Sequence, residues 1–500
     1  MYRLRPFAVA LGLSGLVLLG SHSTGQPPII PAKALERIAG ADNCIRCHLQ
    51  PTPADKRPGG ATEFVRMDES TIWEKTDLHG LGYEALKSKL GQQMSRLLQY
   101  DVSRAPQCLT CHAVDLMPET KPGSKVFEEF YTAFGVGCEA CHGFAKDWGL
   151  AHANQAWRQK TPDEKEKLGQ WDMRNPVKRA DRCTSCHVGS LPEGRFVTHE
   201  MYAAGHPPLP PLEVMRHSFD QPYHYKLAQD LPYLVKLAAD DSEKSWKLFH
   251  FRGKAESQPA RQVAVGAIMT LRASMKLLAD EAGDPKTAVL DLAQFDCAAC
   301  HHDLEPYSWR QQRGFAGVPG RSQPRYGQSF LARFVADHAK AGEAKALLGD
   351  YSQLTKAFSD RPFGAKAEVK KAADKLIAYC DSALAGLDGA RYDTATTKKL
   401  IHAIATAAMA PPADPKDAWV DFDTAQQLIW AIESLRTDVD ADGAIGKALA
   451  EVKAKLPVHV RDATNRDFIA QGLKARFNRA AEFQPDDLFR TMKKVADLTK

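Results

Sequence analysis

The 500 residues carry 66 Lys and Arg against 61 Asp and Glu, a formal charge of +5 that is too small for this length to indicate a nucleic-acid partner. A 44 % hydrophobic share is ordinary for a globular chain, and the length allows two to four domains. Eleven cysteines and 17 histidines are the unusual part of the composition, and their positions carry most of the functional information.

Residues 1–25 have the pattern of a signal peptide. Arg3 and Arg5 supply a basic start, Phe7 to Gly20 form an apolar run, and Ser21, Ser23 and Gly25 offer small residues for cleavage. The run is shorter than the roughly 20 residues that span a bilayer, which favours a cleaved signal over an uncleaved anchor. No later segment is apolar enough to cross a membrane. The expectation is a periplasmic or otherwise exported protein with no membrane span in the mature chain. Residues 26–40, with the proline-rich Gln26 to Pro31, read as an extended linker.

Five Cys-x-x-Cys-His motifs follow: Cys44–His48, Cys108–His112, Cys138–His142, Cys183–His187 and Cys297–His301. Two thiols three residues apart match the two vinyl groups of one haem, and the adjoining histidine is placed to ligate its iron. The motifs therefore predict five covalently attached haem c groups. Cys44, Cys47, Cys108, Cys111, Cys138, Cys141, Cys183, Cys186, Cys297 and Cys300 would form the thioethers. His48, His112, His142, His187 and His301 would be the proximal ligands. Zinc ribbons and disulfides are the competing uses of paired cysteines, but neither requires a histidine after every pair, and an odd number of pairs divides awkwardly into zinc sites. About ten haem propionates would move the net charge toward the acidic side.

The spacer before the fifth motif contains Val265, Ile268, Leu271, Met275 and Leu278 at helical spacing without proline, predicting a helix over 261–282. Gly314 to Tyr326 has the composition of a loop that closes the haem region at 326. Beyond it, Val369, Ala373, Leu376, Cys380, Leu384 and Leu387 form an apolar stripe, broken afterwards by Gly386 and Gly389, and Cys380 on that stripe reads as a buried free thiol. Asp393 and Thr394 are placed to cap a helix ended by Pro411 and Pro412, and Thr424 with Gln427 has capping-box spacing. The expected fold is mainly α. A loop-rich multihaem domain of short helices, 41–326, precedes a helical bundle domain, 327–500. Because macrocycles would supply much of the buried apolar surface, the haem region without them is expected to be poorly folded.

The sixth iron ligands must come from His or Met. His22, His338, His402 and His459 lie away from the haem motifs and read as non-ligands. Within the haem region, His79, His152, His199, His206 and His224 are the distal candidates by context, with His217 and His250 behind them and His302 adjacent to a proximal ligand. Met67, Met94, Met117, Met201 and Met215 are the rival ligands, but methionine fills cores far more often than it binds iron. Bis-histidine sites belong at the low end of the c-type potential range.

Gly135-Val-Gly-Cys-Glu-Ala-Cys-His-Gly143 followed by Trp148 and His152, then Cys183–His187 followed by His199 and Ala204-Gly-His-Pro-Pro208, resembles the multihaem cytochromes of the cytochrome c-554 type. Trp73, His79, Tyr83 and Leu86 resemble that family's segment after its first motif, and Glu213 and His224 continue the likeness, which covers roughly 41–226. The resemblance implies closely packed, mostly bis-histidine haems with distal ligands from remote parts of the chain, and it supports the same five distal candidates. The family's simplest members carry four haems, so the fifth motif, 297–301, and residues 327–500 have no counterpart in that core.

Three functional readings follow. The first is an exported pentahaem carrier that passes electrons between redox partner proteins. The second is a multihaem oxidoreductase with one open haem acting on a small nitrogen or sulfur compound, which needs an accessible iron and groups to move protons. The third treats the helical region as a docking module, separable at Tyr326. All five motifs end in His, which argues against the Lys that marks the catalytic haem in some related enzymes and favours the carrier.

Overall fold

The computed structural model describes residues 39–50, 65–113, 135–301, 324–325, 330–339, 343–409, 422–455 and 485–500. Residues 1–25, most of the expected linker and of the 314–326 loop, Met117, His22, His302, His459, Pro411 and Pro412 lie outside the described residues.

The fold is mainly helical, with two isolated β-bridges, Ser190 with Arg195 and Phe295 with Pro324, and no strand among the described residues. In the amino-terminal half the helices are short. They are α1 (Ala41–His48), α2 (Glu69–Thr76), α3 (Gly82–Lys87), α4 (Lys89–Leu98), α5 (Pro106–His112), α6 (Cys138–His142), α7 (Gln155–Gln159) and α8 (Pro162–Lys167). Then come α9 (Pro176–His187), α10 (His199–Ala204), α11 (Val214–Asp220), α12 (Pro232–Asp240) and α13 (Ser242–Phe249). The long α14 (Gln258–Gly283) precedes α15 (Cys297–Cys300). The carboxy-terminal half holds α16 (Phe330–Ala339), α17 (Glu343–Ser359), α18 (Lys366–Gly389), α19 (Thr394–Met409), α20 (Phe422–Arg436), α21 (Ala444–Lys455) and α22 (Pro485–Leu498).

Helix α14 contains the expected helix and exceeds it by a few residues at its start. Ser257 caps it, its hydroxyl accepting from the Ala260 amide at 3.2 Å, and Pro259 suits the first turn because no amide hydrogen is needed there. Val263, Val265, Ile268 and Leu271 are fully buried, and burial runs nearly all the way round the helix. A helix apolar on every side belongs in the middle of a core. It packs on α9, α11, α16, α18 and α20, so one continuous core runs from Ala180 to Ala496 and joins the haem-motif region to the carboxy-terminal helices.

Local readings of the carboxy-terminal half were met in part. Helix α18 continues through Gly386 to Gly389, and Cys380 is buried on it. Asp393 accepts from the Thr396 amide at 2.7 Å at the start of α19. The capping-box reading of Thr424 and Gln427 is corrected: α20 begins at Phe422, so both are interior and buried. Gln427 instead donates from its amide nitrogen to the Leu212 carbonyl at 2.8 Å and accepts from the Leu331 amide at 3.2 Å, a tertiary use that outweighs local capping. No described helix is long and apolar enough to cross a membrane.

Candidate haem sites

Each motif occupies the last turn of a short helix or the turn leaving one. Cys44, Cys47 and His48 close α1; Cys108, Cys111 and His112 close α5; Cys138 to His142 make up α6; Cys183, Cys186 and His187 close α9. His301 follows α15, its amide donating to the Cys297 carbonyl at 2.7 Å. Helical spacing of three and four residues puts both thiols and the imidazole on one side of the turn, which is why the motif works as a unit.

The third motif shows the backbone cost of that placement. Gly143, directly after His142, has φ +82°, and a Cβ there would stand 2.1 Å from the Gly169 carbonyl oxygen. Gly135, with φ +47°, would put a Cβ 2.8 Å from the His79 carbonyl oxygen. Both positions need glycine for conformation and for close approach of backbone.

The histidine rings fall into five pairs. Their centroids are 6.1 Å apart for His48 and His152, 6.3 Å for His112 and His206, 6.2 Å for His142 and His224, 6.3 Å for His187 and His79, and 6.1 Å for His301 and His199. Each distal candidate thus faces a different proximal candidate. An imidazole nitrogen lies about 1.1 Å from its ring centre and about 2 Å from a metal it ligates, so two rings on opposite sides of one iron have centroids about 6 Å apart. The pairs fit that spacing. Sites are numbered here by motif, 1 to 5.

Hydrogen bonds orient the rings. Nδ1 of His48 meets Glu69 Oε2 at 2.7 Å, that of His79 meets Asp77 Oδ1 at 2.9 Å, and that of His112 donates to the Gly82 carbonyl at 2.9 Å. His152 Nδ1 donates to the Gly149 carbonyl, His206 Nδ1 to that of Pro207 at 2.7 Å, and His224 Nδ1 to that of Pro222 at 3.4 Å. With Nδ1 engaged, Nε2 is the free ligand atom, the usual second-shell arrangement at metal-bound histidine. Burial pulls the imidazole of His142 down to about 4, that of His187 to about 3 and that of His206 to about 4, and it lowers His112, His152 and His224 as well. The neutral ring, with its lone pair available, is the form a metal requires.

Asp77 sits at the start of the turn that carries His79. It accepts from the His79 amide at 3.0 Å as well as from the ring, and Gln221 donates to its other oxygen at 2.9 Å. Burial alone would raise this carboxyl, but the bonds and nearby charge of His79 more than offset that and hold it below its ordinary value.

Buried polar side chains clamp motifs to one another. Glu139, inside motif 3, accepts from the amides of Ala39 at 3.0 Å and Gly40 at 2.9 Å at the start of α1, and from Ala145 at 2.7 Å. The Cys44 and Cys138 thiols lie close to one another, and so do those of Cys111 and Cys186. Arg182 of motif 4's helix donates from Nε to the Ala140 carbonyl of motif 3 at 2.5 Å. Arg195, 2 % exposed, donates from Nε to the Thr110 carbonyl of motif 2 at 2.9 Å and from Nη1 to the Ser185 hydroxyl of motif 4 at 2.8 Å. Motif 1 therefore adjoins motif 3, motif 3 adjoins motif 4, and motif 4 adjoins motif 2.

The remaining histidines fall elsewhere. His217 lies 5.3 Å from His187 and 5.5 Å from Trp430, its Nδ1 donating to the Glu213 carbonyl at 2.9 Å. His250 bonds Asp172 through Nε2 at 3.0 Å. His338 stacks on Tyr392, and His402 donates to the Ala496 carbonyl at 3.0 Å. Met67, Met94, Met201 and Met215 are buried, Met94 and Met201 in a small core around site 2 and Met215 in the main one. Sequence reasoning missed the clamps. Asp77 had a local signal in standing two residues from His79; Glu69 and Arg195 had none, because their partners lie in other segments.

Residues 43–143 match the family model described as cytochrome c554 and c-prime, a segment that holds the first three motifs and His79. No curated protein and no solved structure matches the chain. Over that segment the chain is cytochrome c554-like, which supports a c-type cytochrome with covalently bound haem c.

Proposed function

We propose that this chain is an exported pentahaem electron carrier in which every iron is held between two histidines. The observation that carries the reading is the set of five ring pairs at 6.1–6.3 Å, each joining one proximal to one distal candidate. Bound haem would supply reversible exchange of one electron between ferric and ferrous iron. The ten cysteines would hold the haems through thioethers, the Nδ1 bonds would orient the rings, and each histidine pair would supply two ligands to one iron. A catalytic haem would need an open position, and the pairing leaves none of the five proximal candidates alone. The distal set His79, His152, His199, His206 and His224, the count of five, export to the periplasm and redox proteins as partners all belong to this proposal.

The test is electron paramagnetic resonance of the oxidised protein, with haem counted by pyridine haemochrome. Five low-spin haems are expected. Ring planes lie 16° and 27° apart at sites 1 and 5, and 77°, 86° and 87° apart at sites 2, 3 and 4. Near-parallel imidazoles split the two iron d orbitals that receive their electrons, whereas near-perpendicular ones leave them almost degenerate. Two rhombic signals and three of large maximum g are expected. A stoichiometric high-spin haem that binds nitric oxide would turn the reading toward the oxidoreductase.

A further inference from the structure

We propose that, among the described residues, site 5 is the terminal member of the set with site 2 as its nearest neighbour, so the sites run 1–3–4–2–5 in space and not in the order of their motifs. This rests on the ligation proposed above.

Helix α10 carries the argument. His199, its first residue, faces His301 of site 5, and His206, just past its last residue, faces His112 of site 2. The six residues of α10 at 1.5 Å each make about 9 Å, and His206 follows across Gly205, so one short segment holds a ligand of each site near its two ends. Tyr202, between them, stands edge-on to His206 at 5.9 Å. Arg325 reaches the Tyr202 hydroxyl at 3.5 Å and donates to the Leu209 carbonyl at 2.6 Å, while its amide bonds the Gln294 carbonyl at 3.0 Å, three residues before Cys297. Asp291 completes the frame, accepting from the His199 amide and the Ala293 amide, each at 2.8 Å.

These links tie motif 5 to α10 and the segment that follows it, whereas the clamps of motifs 1, 3, 4 and 2 run among themselves. Exposure follows the same order. Cys297 and Cys300 are exposed, as is Cys47 of site 1, while the six cysteines of motifs 2, 3 and 4 are half-buried. Cys44, the other cysteine of site 1, is half-buried like the inner six, so site 5 is the motif with both cysteines exposed. Site 5 is then one end at which a one-electron redox protein exchanges an electron with the chain, the partner losing what the site gains.

The test uses full-length holoprotein. In Cys297→Ser with Cys300→Ser, the haem count should fall by one, and a redox titration followed by paramagnetic resonance should show a shifted midpoint for one remaining signal. That signal should be the one altered by His206→Met, and the signal altered by His152→Met should keep its midpoint. If the double variant does not fold, His199→Met in the intact chain raises the potential of site 5 and reads the same neighbour. A shift at site 1, 3 or 4, or none at site 2, overturns the order. A wild-type count below five, or a His206→Met spectrum identical to wild type, removes the ligation reading and the order with it.

Discussion

At the scale of single residues, the chemistry of the sites lies in which nitrogen is left free. Asp77 holds His79 through ring and backbone together, so the ring cannot turn away from His187 without breaking its Nδ1 bond to a buried carboxylate that the His79 amide also anchors. Replacing His79 by Ala should convert one large-g low-spin signal to a high-spin one at unchanged haem count, read by paramagnetic resonance. His217→Phe should leave site 4 low-spin, although His217 lies closer to His187 than His79 does, because its ring is turned to the Glu213 carbonyl and Trp430.

Glu213 is the residue whose titration should be visible in stability. Burial pushes its carboxyl up to about 7 from 4.5, against the bonds it accepts from the Arg216 amide, the Ser434 hydroxyl and the Met215 amide. A raised carboxyl binds its proton more tightly in the folded chain, so the folded state is favoured most below 4.5 and loses ground as pH rises toward 7. That window carries about 3 kcal/mol at most. Thermal unfolding of Glu213→Gln against wild type should show a flatter profile between those values; parallel profiles would mean that Glu213 does not titrate there.

At the scale of elements, short helices suffice because each needs to present only one turn of motif. What they cannot tolerate is displacement of the backbone that follows. Gly143→Ala would force a left-handed residue with a Cβ 2.1 Å from the Gly169 carbonyl oxygen, against the segment whose Trp171 amide donates to the His142 carbonyl at 3.0 Å. We expect incomplete haem loading at site 3, measured as a fall in the haem-to-protein ratio, with the other four sites retained. Helix α14 shows the opposite regime. Its stripe of Val265, Ile268, Leu271, Met275 and Leu278 was legible from periodicity alone, because an apolar helix announces itself at every turn. Its neighbours were not legible, since periodicity says that a face is buried and not what covers it.

At the scale of the whole molecule, the carboxy-terminal helices brace the haem region. Gln427 bonds the Leu212 carbonyl, Ser434 bonds Glu213, and Trp430 lies against His217. A chain ending at 326 would strip α14 of α16, α18 and α20 and expose apolar surface that the full chain buries. At about 25 cal/mol per Å², exposing about 400 Å² of such surface already costs about 10 kcal/mol, comparable to the 5–15 kcal/mol margin of a typical domain. Truncation at 326 should therefore give a protein that loads haem poorly and aggregates; intact haem spectra from a soluble fragment would instead make residues 327–500 a separable module.

Some of this organisation was local and so available in the order of residues. Attachment chemistry resides in five consecutive residues, and a helix puts its thiols and imidazole on one side whatever surrounds it. The distal candidates were marked by neighbours such as Trp73, Trp148 and the Gly-His-Pro at 205–207. Pairing could not be read that way: His79 faces His187, His152 faces His48, and His224 faces His142, each across more than eighty residues. Nor could the buried clamps of Glu139 and Arg195, or the shared core around α14. Haem chemistry depends on groups adjacent in sequence, whereas partner and order depend on which segments the packed core brings together, and only the tertiary structure decides that.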